Sequence, residues 1–288
     1  LTNSGALTFT SGVSEVFGDV TVLNNLATPG RIIVSGGAQA NFYDDVTNSG
    51  LIQVSAAGSL ASTAVFLGSL TGSGVSGSGH VFNEGDMRPG FSPGTMAFGG
   101  DLSFGPLASL EIELAGHTPG TQFDRVTVAN TVALSGELDV TLLSTFQPDA
   151  GDTFEILHAD GGVTGTFSTE ALPALRGGLY FDVQYAANSV TLFTVGALGD
   201  YNRNGRVDAA DYTVWRNALN QPVANLLADG SGDHQITRSD FDVWKAHFGE
   251  IAMFGAGALS AAVPEPASAT LLLSVIAAFG VLCRRREM

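Results

Sequence analysis

Two stretches of twelve residues hold the side chains best suited to chemistry. From Asp200 to Asp211, oxygen-bearing side chains occupy the first, third, fifth, ninth and twelfth places. From Asp229 to Asp240 the same places are filled in the same way. A hard divalent cation takes about 6–8 oxygen ligands, and this spacing delivers them to Ca2+, with the seventh place offering a backbone carbonyl. The candidate metal ligands in the first stretch are Asp200, Asn202, Asn204, the Arg206 carbonyl, Asp208 and Asp211. Those in the second are Asp229, Ser231, Asp233, the Gln235 carbonyl, Thr237 and Asp240. Val207 and Ile236, at the eighth places, are apolar and are expected to link the two loops through a short strand bridge.

The residues that must position these loops also repeat. Tyr212, Trp215 and Leu219 fall at i, i+3, i+7 after the first loop, and Phe241, Trp244 and Phe248 do so after the second. Each set makes one apolar face of a short helix. Neither unit can bury that face alone, so the two are expected to pack together, with metal binding coupled to folding. The paired EF-hand-like loops, each ending in Asp and with no helix before it, resemble a type I dockerin over Gly199 to Gly249. The resemblance implies two Ca2+ ions and, in some bacteria, docking onto a cohesin; the alternative is a calcium-rigidified spacer near the membrane. In that family the tenth and eleventh places of each loop read the cohesin. Here they hold Ala209, Ala210, Arg238 and Ser239 instead of hydroxyl-rich pairs. His234 stands where the second loop calls for a glycine at its sixth place, a turn that needs positive φ.

Composition narrows the rest. Twelve Lys and Arg against 28 Asp and Glu give a net charge of −16. A nucleic-acid phosphate backbone would be repelled, so that partner class is set aside. The single cysteine, Cys283, allows no intrachain disulfide. The abundance of Gly, Ser, Thr, Val and Leu favours many short strands and tight turns.

The N-terminal part repeats weakly. The segment from Phe17 to Thr21 resembles that from Tyr43 to Thr47, and the one from Ile32 to Ser35 resembles that from Ile52 to Ser55. Periods of about 20 residues or more mark solenoids, whose coils bury a core only by stacking. A mainly β fold is expected: a parallel β-helix or β-solenoid, with a β-sandwich as the alternative. The Gly-Ser run from Thr71 to Gly79 reads as solenoid corners or as a flexible linker. From Gly99 to Val195 the strands lengthen, as in the alternation from Leu107 to Leu114. The pattern of Gly-rich turns and strands up to Val195 resembles the autotransporter-type β-helix passengers of bacterial surface proteins, which implies a surface solenoid. Leu1 reads as if already within a repeat, which suggests a leader and earlier coils upstream.

Carboxylates that could serve an enzyme are placed without a constellation. Glu84, Asp86 and Arg88 fall in a Gly-Pro turn, Glu111 and Glu113 alternate outward on one strand, and Asp124 and Arg125 form a polar pair. His80, His117 and His158 are scattered, and no Gly-x-Ser-x-Gly elbow occurs. The sequence therefore argues against an enzyme.

At the C-terminus, Pro264, Glu265 and Pro266 precede an apolar run from Ala267 to Cys283, closed by Arg284, Arg285 and Arg286. The run has the length of a short membrane-spanning helix, and the arginines would stay cytoplasmic. The order of the three parts resembles a PEP-CTERM sorting signal. That resemblance implies an exosortase-type processing enzyme and delivery to the cell surface or extracellular matrix.

The expected division is a β-solenoid region over 1–195 (repeat coils 1–98, longer strands 99–195), a small α dockerin-like calcium module over 199–249, a linker over 250–263 and a transmembrane sorting tail over 264–288. The expected role is structural or adhesive. The alternative is a carbohydrate-active or polysaccharide-binding β-helix docked through a cohesin.

Overall fold

The computed structural model describes residues 1–24, 29–57, 60–219 and 226–252. The tail from 264 to 288, with its sorting motif and apolar run, lies outside the described residues, as does the linker beyond 252. Among the described residues, no helix is long and apolar enough to cross a membrane.

Short alternating strands wind into three stacked faces. One face carries eight strands from Thr2–Asn3 to Thr169–Ala171, and a second carries seven from Val13–Val16 to Gly162–Gly165. The third begins with Ala6–Phe9, Arg31–Val34 and Leu51–Val54. The parallel bridge Gln53↔Ser76 joins it to Gly74–Val75 and the later strands. Neighbouring strands in these faces pair parallel from coil to coil. This is a parallel β-solenoid, and the pairing rules out the sandwich alternative. The Gly-Ser run forms strands of two faces (Leu70–Gly72 and Gly74–Val75) and is not a flexible linker.

The repeats visible in the sequence are rungs that touch. Val20 and Thr21 pair with Val46 and Thr47, and Ile32 pairs with Ile52. Phe17 and Tyr43 stack at 4.6 Å on the outside. Inside, Phe42 and Phe66 stack at 5.2 Å, and Leu110 lies beside Leu138. Such side chains are fully buried, each worth about 1.5–3 kcal/mol. Polar groups at the corners tie coils together: Asn3 Nδ2 donates to the Arg31 carbonyl at 2.8 Å, and Asn48 Nδ2 donates to that of Gly74 at 2.7 Å.

Parallel stacking ends at the last coil. The strand Thr153–Ala159 pairs antiparallel with Ser189–Val195, which pairs antiparallel with Tyr180–Tyr185. Residues 196–199 then lead directly into the first of the twelve-residue loops.

Two sequence expectations for the solenoid fail. Asp86 and Arg88 sit on the strand Asp86–Pro89, not in a turn, because Met87 and Pro89 point inward and send them outward. There Arg88 holds Glu111 through two bonds of 2.7 Å, since the two residues stand opposite each other on adjacent coils. Asp124 and Arg125 do not pair. The backbone alternates, so Asp124 turns inward, only 2% exposed, while Arg125 turns outward to Glu155. The Asp124 carboxyl accepts the Gly94 N–H at 2.6 Å and the Glu113 N–H at 2.8 Å, pinning two chain segments at one corner.

Burial pushes the Asp124 carboxyl up to about 6, against the lowering effect of its two backbone donors, and the Glu113 charge adds to the rise. The folded chain therefore holds this proton more tightly than the unfolded chain. The resulting stabilisation is complete below about 3.8 and is lost as pH rises through about 6. It is worth at most ~3 kcal/mol. Calorimetric melting between pH 4 and 7 should show this decline. Asp124→Asn, which gives up one backbone bond at every pH, should flatten it; an unchanged slope would refute the assignment.

Candidate metal centre

The two loops fold alike because their side chains bind their own backbones in one scheme. In the first, Asp200 Oδ1 and Oδ2 accept the N–H groups of Asn204 and Gly205 at 3.0 and 2.8 Å. In the second, Asp229 Oδ1 and Oδ2 accept those of Gly232 and His234 at 2.7 and 2.8 Å. The aspartates at the twelfth places close each loop. Asp211 accepts from Asn202 and Asp208, and Asp240 from Ser231 and Thr237. At the fifth places, Asn204 Oδ1 accepts the Arg206 N–H, and Asp233 Oδ1 that of Gln235.

Each loop runs into a helix through a capping box. Asp208 caps α1 (Ala209–Ala218), with Asp211 reaching back, and Thr237 caps α2 (Arg238–Ala246), with Asp240 reaching back. A helix start thus holds the ninth and twelfth residues of each loop in one geometry. The helices are a little shorter than their apolar pattern: Leu219 is the C-cap of α1, and Phe248 lies beyond α2, exposed against Trp244.

An aromatic cluster of Tyr212, Trp215, Phe241 and Trp244 joins the two units, with ring centroids 5.2–6.0 Å apart. The two tryptophans cross over. Trp215 Nε1 donates to the Thr237 carbonyl at 2.8 Å, and Trp244 Nε1 donates to the Asp208 carbonyl at 2.9 Å. Each helix therefore holds the ninth place of the other loop. The symmetry breaks at the second places. Tyr201 is buried and donates its hydroxyl to the Asp240 carbonyl at 2.6 Å. Gly230 is its counterpart, and a Cβ there would meet the Tyr201 hydroxyl at 2.4 Å. One tyrosine occupies the space that two could not share.

The expected bridge between Val207 and Ile236 does not form. Val207 instead pairs with the segment after α2: its N–H donates to the Glu250 carbonyl, and its own carbonyl accepts the Gly249 N–H. Arg206 bridges Ile251, and Val207 is buried with Ala197 and Ala252. Ile236 goes to the aromatic cluster. The exit of α2 folds back onto the first loop and occupies the edge that Ile236 would have needed.

Electrostatics single out the loops. Asp200, Asp211, Asp229 and Asp240, at the first and twelfth places, are 2%, 0%, 1% and 0% exposed. Among the described residues, no Lys or Arg forms an ion pair with any of them; the exposed His234 ring stands 3.9 Å from Asp229. Burial raises the Asp211 carboxyl, and the Asp200 and Asp208 charges add to it. Burial raises Asp229 too, with Asp240 and Asp233 adding. Tyr201, beneath three of these carboxylates, is also raised, by burial first. Buried charges are ordinarily paired or bound to metal. Among the described residues, no three His, Cys, Asp or Glu side chains gather as a metal cage by themselves. The acid oxygens are already spread over loop amides, and the remaining candidate donors are Asn202 and Asn204 in the first loop, Ser231 and Thr237 in the second, and a backbone carbonyl in each. An all-oxygen set of this kind fits a hard cation and not a thiophilic one. The other histidines are dispersed: His80 contacts Ser103, His117 lies near Asp152, His158 lies between Glu155 and Asp160, and His247 contacts Glu250.

Residues 198–248 match the family model of the Dockerin type I domain. Domains of this type bind calcium. No match was found among curated proteins.

The loops place glycine differently at their two left-handed positions. The fourth and sixth places have φ of 56° and 90° at Arg203 and Gly205, and of 76° and 62° at Gly232 and His234. His234 keeps the same N–H bond to the first aspartate as Gly205 does, at the cost of a left-handed side chain. A left-handed non-glycine residue costs about 1–2 kcal/mol. Glycine gives back about 0.5–1 kcal/mol in backbone entropy. His234→Gly should therefore stabilise the module by ~0.5–1 kcal/mol and tighten calcium binding at the second loop several-fold. Melting and calcium titration would check this, and unchanged affinity would show that the turn is unstrained.

Proposed function

We propose that this chain is an exported protein of the cell surface or extracellular matrix with a structural or adhesive role. A β-solenoid over 1–195 forms its platform, and a calcium module over 199–249 follows. The module takes two Ca2+ ions, one through Asp200, Asn202, Asn204, the Arg206 carbonyl, Asp208 and Asp211. The other uses Asp229, Ser231, Asp233, the Gln235 carbonyl, Thr237 and Asp240. The observation that carries this reading is the set of four buried aspartates at the first and twelfth places with no Lys or Arg counter-ion among the described residues. Calcium bound there supplies the missing positive charge.

The Dockerin type I match supports an extracellular setting and a cohesin as partner class. Ala209, Ala210, Arg238 and Ser239 are exposed at the helix starts, where such a partner would read them. Their small and cationic character suits a cohesin surface unlike one that reads paired hydroxyls. Residues 250–252, expected as linker, pack on the first loop, so a linker over 253–263 and the tail over 264–288 complete the proposal. Pro264–Pro266 and Arg284–Arg286 are read by an exosortase-type enzyme, with the tail in the membrane until processing. We assign no catalytic role.

One observation favours a second reading, binding of a polysaccharide. A cleft of about 150 Å3 is lined by Arg88, Phe91, Glu111, Glu113 and Asp124. Phe91 is 60% exposed at its rim, as a sugar-stacking ring would be. Phe91→Ala should then abolish retention on immobilised polysaccharides; equal retention of parent and variant would remove this reading.

Calorimetric titration of the whole chain with Ca2+ tests the main proposal. Two binding events are expected, and Asp200→Ala and Asp229→Ala should each remove one. A chain that binds no Ca2+ would refute the assignment.

A further inference from the structure

The calcium module and the solenoid have almost no chain between them. The last strand ends at Val195, and the first loop begins at Asp200. The described residues up to Ala252 belong to one compact unit, and both loops touch one turn, Arg176–Gly178. The Gly199 N–H donates to the Gly177 carbonyl at 2.9 Å. A Cβ on Gly178 would stand 2.1 Å from the Asp200 carbonyl oxygen, so only glycine, at φ 96°, lets the first loop approach. The second loop reaches the same turn. A Cβ on Gly177 would lie 3.1 Å from Gly230 Cα, and one on Gly232 would lie 3.3 Å from Arg176 Cδ.

Arg203, at the fourth place of the first loop, completes the contact. Its Nη2 donates to the Leu179 carbonyl at 3.0 Å, and its guanidinium lies over the Tyr180 ring, 5.6 Å from the centroid. Arg203 supplies no candidate ligand oxygen, yet its left-handed backbone is one of the two positions that shape the loop. Leu226–Ala228, just before the second loop, packs on the same turn, and from the loops themselves the touching residues are Asp200, Arg203, Gly230 and Gly232. All lie in the first third of their loops, where the first aspartate ties the backbone together.

A solenoid end without a cap leaves its core and strand edges open, and terminal capping units are required. We propose that the calcium module is the C-terminal cap of this solenoid, and that calcium, by setting the first turns of both loops, clamps the last coil through the Arg176–Gly178 turn. The proposal rests on the calcium reading above and adds a second task to the module. Calcium then governs the order of the coil from Leu179 to Val195, which contains none of its ligands.

Hydrogen exchange on the full chain, with calcium and with chelator, tests this. Calcium should slow exchange by about tenfold or more both within 199–249 and at the amides of Tyr180–Tyr185 and Ser189–Val195. Arg203→Asn tolerates the left-handed turn and removes the guanidinium. It should keep both calcium heats while losing the calcium-dependent protection of those two strands. Calcium heats with protection confined to 199–249 would overturn the cap and leave the calcium reading intact. A chain without calcium heats would overturn both.

Discussion

A single coil of this solenoid owns too few apolar side chains to enclose itself. Val22, Ile32 and Phe42 are fully buried only because the next coil places Ile52 and Phe66 in register with Ile32 and Phe42. Parallel hydrogen bonding enforces that register, since a slip of one residue would turn every buried side chain outward. Most other features of the molecule follow. The corners take glycine and asparagine, the outward rows take charge and hydroxyls, and cross-coil contacts such as Arg88 with Glu111 arise between rungs far apart in the chain.

Stacking also creates the problem of the ends. The last coil meets it in two ways. It turns the third face antiparallel through Tyr180–Tyr185 and Ser189–Val195, and it sets the Arg176–Gly178 turn against the loops that follow. The module gathered there has its own imbalance. Its twin loops bury four carboxylates in a few turns of chain, and their mutual repulsion raises Asp211 and Asp229 beyond the effect of burial. Local hydrogen bonds keep the loops folded in shape, but they do not supply charge. A bound cation would supply it, and would make metal, loop geometry and the packing of the aromatic cluster one coupled system.

Duplication makes that coupling reciprocal. Trp215 and Trp244 each hold the loop belonging to the other helix. Two departures from symmetry are forced by space: Tyr201 against Gly230, and Val207 against the returning chain at Glu250. A duplicated sequence packed about a shared core cannot put the same bulky group in one place twice.

The sequence by itself determined what short-range pattern controls. The twelve-residue loops are legible because ligand spacing, capping aspartates and helix faces all act within a few residues. Solenoid coils are legible because period-two alternation recurs about every 20–26 residues, as Ile32 with Ile52 and Val20 with Val46 show. Only the tertiary structure decided which polar residues the stacking would bury or join. Asp124 and Arg125 read alike as surface neighbours, but the pleat separates them, and Asp124 finds its partners at Gly94 and Glu113. Val207 and Ile236 occupy equivalent places, yet the chain after α2 reaches one of them and not the other. The contact of both loops with Gly177 and Gly178 has no sequence signature, because a glycine that admits a neighbour's backbone looks the same as one that makes a turn.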